Sequence, residues 1–125
     1  METIKTRTAE IYLDDQHILH IVFLSDVTID VDDAADNFLV VKHLTNNESC
    51  VKLMDIRNHF DIDNEAKKFS NSREYYGKTK ARALLVNSEV KKITLNFFGR
   101  VNPGKIPIKF FTDENEAIEW LKKYQ

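Results

Sequence analysis

Two short apolar runs most constrain what this chain can fold into: VKLMDI at Val51–Ile56 and ARALLV at Ala81–Val86. The second run is almost continuously apolar, which is typical of a strand buried on both faces of a parallel sheet. Segments of helical periodicity lie between and around the two runs. Because parallel strands need long crossover connections, usually helical, this alternation predicts an α/β sheet with helices packed against it.

The flanking segments extend this pattern. Thr8–Leu13 and Ile18–Leu24 are predicted to form a hairpin, and Ile108–Phe111 a last strand. Helices are predicted over Asp30–Asn46, over Ile62–Gly77, from Asn87 onward and after Thr112 or Asp113. The predicted order is β-β-α-β-α-β-α-β-α: a single mixed, mostly parallel five-stranded sheet with four helices, in one domain over residues 1–125.

Apolar stripes indicate which face of each helix is buried. The predicted stripes contain Ala35, Phe38, Leu39 and Val41–Leu44 in the first helix; Ile62, Ala66, Phe69 and Tyr76 in the second; Val90, Ile93 and Phe97 in the third; and Ala117, Trp120, Leu121 and Tyr124 in the last.

Composition narrows the possible environment and partners. The formal net charge of -2 gives no basic face for nucleic acid, so no nucleic-acid partner is expected. The single cysteine, Cys50, excludes an internal disulfide and is predicted to be a small core residue. No apolar run approaches the roughly 20 residues of a membrane span, and no signal peptide is evident. The sequence therefore predicts a cytoplasmic protein without a transmembrane segment.

No motif for chemistry is present. The serines lie outside any Gly-x-Ser-x-Gly turn, and the best placed, Ser88, is predicted to be a helix cap. The histidines and the single cysteine lack metal-ligand spacing, and the three glycines form no phosphate-binding loop. The sequence therefore predicts no enzymatic activity, no metal and no cofactor.

Polar residues lie near the end of the predicted strand Val51–Ile56 and directly after it. Asp55 and Arg57 alternate onto the same face, so they are predicted to pair with each other. In the alternative, Arg57 binds an anionic group or a partner's carboxylate from a crevice lined by polar neighbours. The residues of that crevice are Asn58, His59, Asn87 and Ser88.

A second candidate surface is aromatic. Phe97, Phe98 and Phe110 are predicted either to pack or to line an apolar pocket between the helices and the sheet. Between them, Asn102-Pro103-Gly104-Lys105 has the residues of a type II turn. This alternative predicts a small-molecule or lipid-binding domain.

Three segments give the chain a resemblance to a known fold: LMDIR, ALLVNS and FFTDENEAIEWLKKY. They resemble the STAS fold, and more closely its SpoIIAA-like branch of small stand-alone bacterial proteins. The resemblance implies a non-catalytic protein-interaction or regulatory module with an unidentified protein partner or small ligand. The first strand is predicted to lie at a sheet edge, where it offers a surface for a homodimer.

The resemblance also implies a regulatory position. In anti-sigma factor antagonists of this fold, a serine at the start of the second helix is phosphorylated. Here the corresponding stretch, FDIDNEA at Phe60–Ala66, contains no serine or threonine. Asp63 is predicted to cap the helix, and the alternative is a weak mimic of a phosphorylated residue.

Overall fold

The computed structural model describes residues 1–70, 72, 77–89, 91–93 and 106–125. Its strands are β1 (Thr3–Lys5), β2 (Ala9–Leu13), β3 (Ile18–Phe23), β4 (Thr28–Ile29), β5 (Cys50–Asp55), β6 (Asp61–Ile62), β7 (Thr79–Leu85) and β8 (Ile108–Phe111). Its helices are α1 (Val31–Thr45), α2 (Asn64–Ser70), α3 at residues 89 and 91–93, and α4 (Glu114–Lys122).

The main sheet has six strands in the order β1-β2-β3-β5-β7-β8. The pairs on both sides of β2 are antiparallel, and the three pairs from β3 to β8 are parallel. Strands β5 and β7 lie inside the parallel part, as their apolar runs predict. The fold class predicted from the sequence is therefore confirmed.

Two apolar cores hold the helices on the sheet. One contains Ile11, Ile21 and Met54 and lies under α1 and α2. The other lies under α4, where Leu121 and Ala117 pack against Ala81 and Ala83 of β7, all fully buried. Because Ala117, Ala81 and Ala83 carry only methyl side chains, the backbone of α4 can approach β7 closely at Ala117.

The main sheet gains one strand over the five that the sequence predicts. Strand β1 pairs with Ala9–Leu13 and covers the edge that was expected to be open. Strand β1 is itself the edge strand of the main sheet, so a homodimer through the first strand stays a prediction. A second, two-stranded sheet joins β4 to β6, so Ile62 belongs to a strand rather than to the second helix.

Three hydrophobic residues predicted to be buried on helices are exposed instead; one of them, Tyr124, lies past the end of α4 and is 36% exposed. Leu39 is 61% exposed, because the buried side of α1 is formed by residues that include the polar Asp33 and Asn37. The amide of Asn37 donates to Thr8 Oγ1 and its oxygen accepts from Thr6 Oγ1, so its buried polar groups are hydrogen-bonded.

Ile93 of α3 is 64% exposed, and its predicted stripe partners Val90 and Phe97 lie outside the described residues.

The start of α1 is fixed by a capping box and an ion pair. Asp30 Oδ1 accepts from the backbone amide of Asp33, and Asp33 Oδ2 accepts from that of Asp30. Arg7 also donates to both carboxylate oxygens of Asp33, which ties the loop between β1 and β2 to α1. The hydrogen bond from Arg7 lowers the pKa of Asp33 to about 2.

Replacing Asp33 with alanine is expected to lower the free energy of unfolding by about 1–3 kcal/mol at neutral pH. The pKa of folded Asp33 lies below its ordinary value of 3.8, so this stabilisation is complete above that value and is lost as the pH falls towards about 2. Denaturant unfolding over this acid range measures the effect. The control is Asp32→Ala, because Asp32 is an exposed aspartate of the same first turn, and equal acid sensitivity in the two variants would contradict the assignment.

Candidate functional site

The parallel strands β5, β7 and β8 bring their carboxyl ends to one edge of the sheet. Backbone hydrogen bonds continue just past these ends: Ile56 N donates to Leu85 O at 3.1 Å, and Val86 N to Phe111 O at 2.8 Å. Side chains that follow the strands therefore start from a rigid base. We call the polar surface at this edge the strand-end surface. It consists of Asp55, Arg57, Asn58, His59, Asp63, Asn87 and Ser88.

The predicted pair between Asp55 and Arg57 is present. Arg57 Nε donates to Asp55 Oδ1 at 2.9 Å, and its Nη2 donates to Oδ2 at 2.6 Å. The backbone amide of Arg57 also donates to Oδ1 at 3.1 Å. This two-pronged geometry fixes the plane of the guanidinium, while 46% of the Arg57 side chain is still exposed.

Electrostatics keep both members of this pair charged. Burial of Asp55 acts to raise the pKa of its carboxyl, but the hydrogen bonds from Arg57 outweigh it, so the pKa is lowered. The hydrogen bond to Asp55 raises the pKa of Arg57, and the negative charge of Glu114 at the start of α4 adds to this. The guanidinium is therefore a permanent, oriented cation at the surface.

Three of the predicted polar residues hold the backbone of this edge. Asn58 Nδ2 donates to Phe23 O at 2.9 Å, which joins the end of β5 to that of β3. Asn87 Nδ2 donates to Arg57 O at 3.1 Å, which joins the ends of β7 and β5. Ser88 Oγ accepts from the backbone amide of Lys91 at 3.3 Å, as a helix cap does.

The remaining two residues, His59 and Asp63, precede α2 in the chain. The side chain of His59 is exposed, and its backbone carbonyl accepts from Asp26 N at 2.8 Å. Asp63 Oδ1 accepts from Ala66 N at 2.8 Å, so Asp63 caps α2. Asp63 thus lies at the start of α2, whereas Asp55 and Arg57 lie near Glu114 at the start of α4.

The predicted aromatic pocket is described only in part. Phe97, Phe98 and the turn at 102–105 lie outside the described residues, so the pocket around them stays a prediction. Phe110 is half-buried on β8, where it pairs in register with Leu84. A different apolar cavity of about 170 Å³ lies under α1 and α2, lined by Phe23, Met54 and Phe60 among others. This volume is below the roughly 300 Å³ of ordinary ligand sites, which disfavours a ligand there.

Two further polar features are not among the residues that the sequence pattern singles out. The His20 ring stacks on Tyr12 with ring centroids 4.5 Å apart, and its Nε2 lies 2.8 Å from Asp14 Oδ2. Lys52, in the middle of β5, is only 2% exposed. A lysine inside an apolar strand is the signal that could have drawn attention to it, because lysine is almost never fully buried unless paired.

Within the described ranges, no three His, Cys, Asp or Glu side chains are grouped to hold a metal ion. No helix of that same part of the chain combines the length and apolarity needed to cross a membrane. Cys50 is buried at the start of β5, and burial raises the pKa of its thiol.

The sheet order and the helices packed on it define a SpoIIAA-like α/β domain. A solved protein of the DUF3478 family with a SpoIIAA-like fold, from Shewanella loihica PV-4, matches with a TM-score of 0.60 at 18% identity. The match covers 96% of this chain and 90% of that one. A protein with unknown function from Arthrobacter sp. FB24 is 24% identical over 94% of this chain and 95% of its own, but with a TM-score of 0.27.

The chain belongs to the family described as Domain of unknown function (DUF7793), whose model matches residues 11–125. No curated protein matches the chain. The family and the fold therefore leave the function to be inferred from the surface itself.

Proposed function

We propose that this protein is an interaction or regulatory module without chemistry of its own, which docks a protein partner through the strand-end surface. The observation that carries the proposal is the geometry of Arg57. Its guanidinium is held in one plane by Asp55 and remains almost half exposed. Arginine is enriched at binding hot spots, and a fixed side chain loses less conformational entropy on binding.

The surroundings of Arg57 support docking rather than catalysis. Asn58 and Asn87 hold backbone carbonyls, while Ser88 and Asp63 cap helices, so their polar groups stabilise the edge. A rigid edge with an exposed cation suits a partner that offers a carboxylate. Phosphorylation at Phe60–Ala66 forms no part of this proposal, because that stretch contains no serine or threonine.

The test is a crosslinking experiment in cells of the source species, with a photoreactive amino acid at the exposed position His59. We expect a crosslinked protein partner with the otherwise wild-type bait, and a loss of about tenfold or more with Arg57→Ala. Arg7→Ala is the matched control, because Arg7 is also exposed and also paired with an aspartate. Equal crosslinking by the two variants would show that Arg57 does not form the docking surface.

A second copy of the chain is another partner that this surface would accept. Sedimentation velocity of the purified protein at increasing concentration distinguishes that case. A dimer dissociated by Arg57→Ala, and unaffected by Arg7→Ala, would identify the partner as the protein itself. A monomer at all concentrations would leave a different protein as the partner to be identified by crosslinking.

A further inference from the structure

A second concave site lies at the opposite end of the parallel strands. It is a pocket of about 350 Å³ between α1 and the amino-terminal ends of β5 and β7. Thr45 of α1, Cys50 at the start of β5 and Thr79 at the start of β7 contribute to its wall. Its volume falls within the range of roughly 300–1,000 Å³ that is typical of small-molecule sites.

Lys52 lies at the inner wall of this pocket. Its side chain is on the same face of β5 as Cys50, because residues two apart in a strand share a face. The residue is 2% exposed, so water reaches it poorly. Arg82, its register partner on β7, is also buried, so a second positive charge lies beside Lys52 on the same face of the sheet.

The outer part of the pocket is also cationic. Lys42 of α1 and Lys78 before β7 are both exposed lining residues. Lys78 Nζ donates to Asn47 O at 2.8 Å, which holds this amine close to the pocket wall. Among the described lining residues, three lysines face a single carboxylate, that of Glu48. This balance favours a negatively charged ligand.

Apolar side chains complete the lining. Phe38 and Val41 project from α1, and Lys42 Nζ lies 4.9 Å from the centre of the Phe38 ring. A ligand would therefore meet the ammonium groups of three lysines and, on the side of α1, the hydrocarbon of Phe38 and Val41. Such a division selects a molecule with an anionic group at one end and an apolar body at the other.

We propose that this pocket binds a small organic carboxylate, with its carboxylate directed towards Lys52 and its apolar body against Phe38 and Val41. The site is separate from the strand-end surface, so a negative result for ligand binding would not affect the proposed docking function. A bound carboxylate would lie among Lys42, Lys52 and Lys78, where each ammonium can donate hydrogen bonds to it.

Three probes of matched size or charge test this proposal by NMR titration of the ¹⁵N-labelled protein. Benzoate is expected to produce saturable shifts at the amides of Thr45, Cys50 and Thr79. Benzylamine, with the same ring and the opposite charge, is expected to leave them unchanged at equal concentration. Inorganic phosphate, an anion without an apolar body, is expected to bind at least about tenfold more weakly than benzoate.

Substitutions of single lysines test which ammonium group contributes to benzoate binding. Lys52→Met is expected to weaken benzoate binding about tenfold or more, and Lys42→Gln or Lys78→Gln several-fold. Lys80→Met is the control, because Lys80 is an exposed lysine on β7 that does not line the pocket. The two glutamine variants change exposed residues, so they keep the test decisive if Lys52→Met does not fold.

Several results would overturn the proposal: absent benzoate shifts, equal shifts with benzylamine, or the same affinity in Lys52→Met and Lys80→Met. Phosphate binding as tightly as benzoate would contradict the apolar contact with Phe38 and Val41.

Discussion

The difference in unfolding free energy between Lys52→Met and the wild-type protein is expected to change by about 3 kcal/mol between pH 8 and pH 10.5. The stability of Lys52→Met relative to the wild type should be greatest below pH 8 and should fall as the pH rises. This is one of the two largest effects we expect from a single substitution, because Lys52 carries its charge where water is almost absent.

The cause is the lowered pKa of Lys52. Burial lowers this pKa from 10.5 to about 8; the nearby Cys50 acts against the shift, and the positive charge of Arg82 adds to it. Between pH 8 and pH 10.5 the folded protein loses the Lys52 proton while the unfolded chain keeps it. The unfolded state then binds more protons, so the Lys52 contribution makes wild-type stability rise with pH in this window.

Denaturant unfolding of both proteins at several pH values from 7 to 10.5 measures the difference. Comparing variant with wild type removes the contributions of groups that titrate in the same range without contacting Lys52, such as Tyr12. Lys80→Met, on the exposed side of β7, provides the control and should follow the wild type throughout. If the unfolding free energies of Lys52→Met and the wild type change in parallel between pH 7 and pH 10.5, Lys52 is well solvated.

Replacing Leu121 with alanine is expected to lower the free energy of unfolding by about 3–4 kcal/mol. Leu121 is fully buried and belongs to the core between α4 and the sheet. Its loss removes apolar contacts and leaves a space that the neighbouring side chains fill only in part. Chemical denaturation monitored by the fluorescence of Trp120, on the same helix, measures the effect.

Leu39→Ala is the matched control for this substitution. It makes the same chemical change on a helix, but at a position that is 61% exposed, so the expected effect is within about 0.5 kcal/mol. A large loss at Leu39 would mean that the original stripe prediction for α1 is right and that this face is buried in solution. Similar losses of unfolding free energy for Leu39→Ala and Leu121→Ala would contradict the burial of Leu121 and the exposure of Leu39.

The fold was predictable where apolar runs are long. Strands β5 and β7 and helix α4 follow the predicted periodicity, and Asp113 caps α4 as expected. The strands of two or three residues, β1, β4 and β6, are too short for a period-two pattern to identify them. Their pairing depends on neighbours that are distant in sequence.

The polar residues were predictable only where their partners are close in sequence. The pair between Asp55 and Arg57 follows from strand alternation over two residues. The burial of Asn37 depends on Thr6 and Thr8, about thirty positions earlier, so the stripe in α1 favoured Leu39 instead. Lys52 faces Arg82 from a neighbouring strand thirty residues away, a juxtaposition that only the assembled sheet creates.

The alanine contact between α4 and β7 has a consequence for how such a protein can diverge. Any larger side chain at Ala81, Ala83 or Ala117 would have to push helix and sheet apart, so these positions tolerate few alternatives. Exposed positions such as His59 carry no such constraint. Substitutions can therefore change the strand-end surface while the packing between α4 and β7 stays fixed.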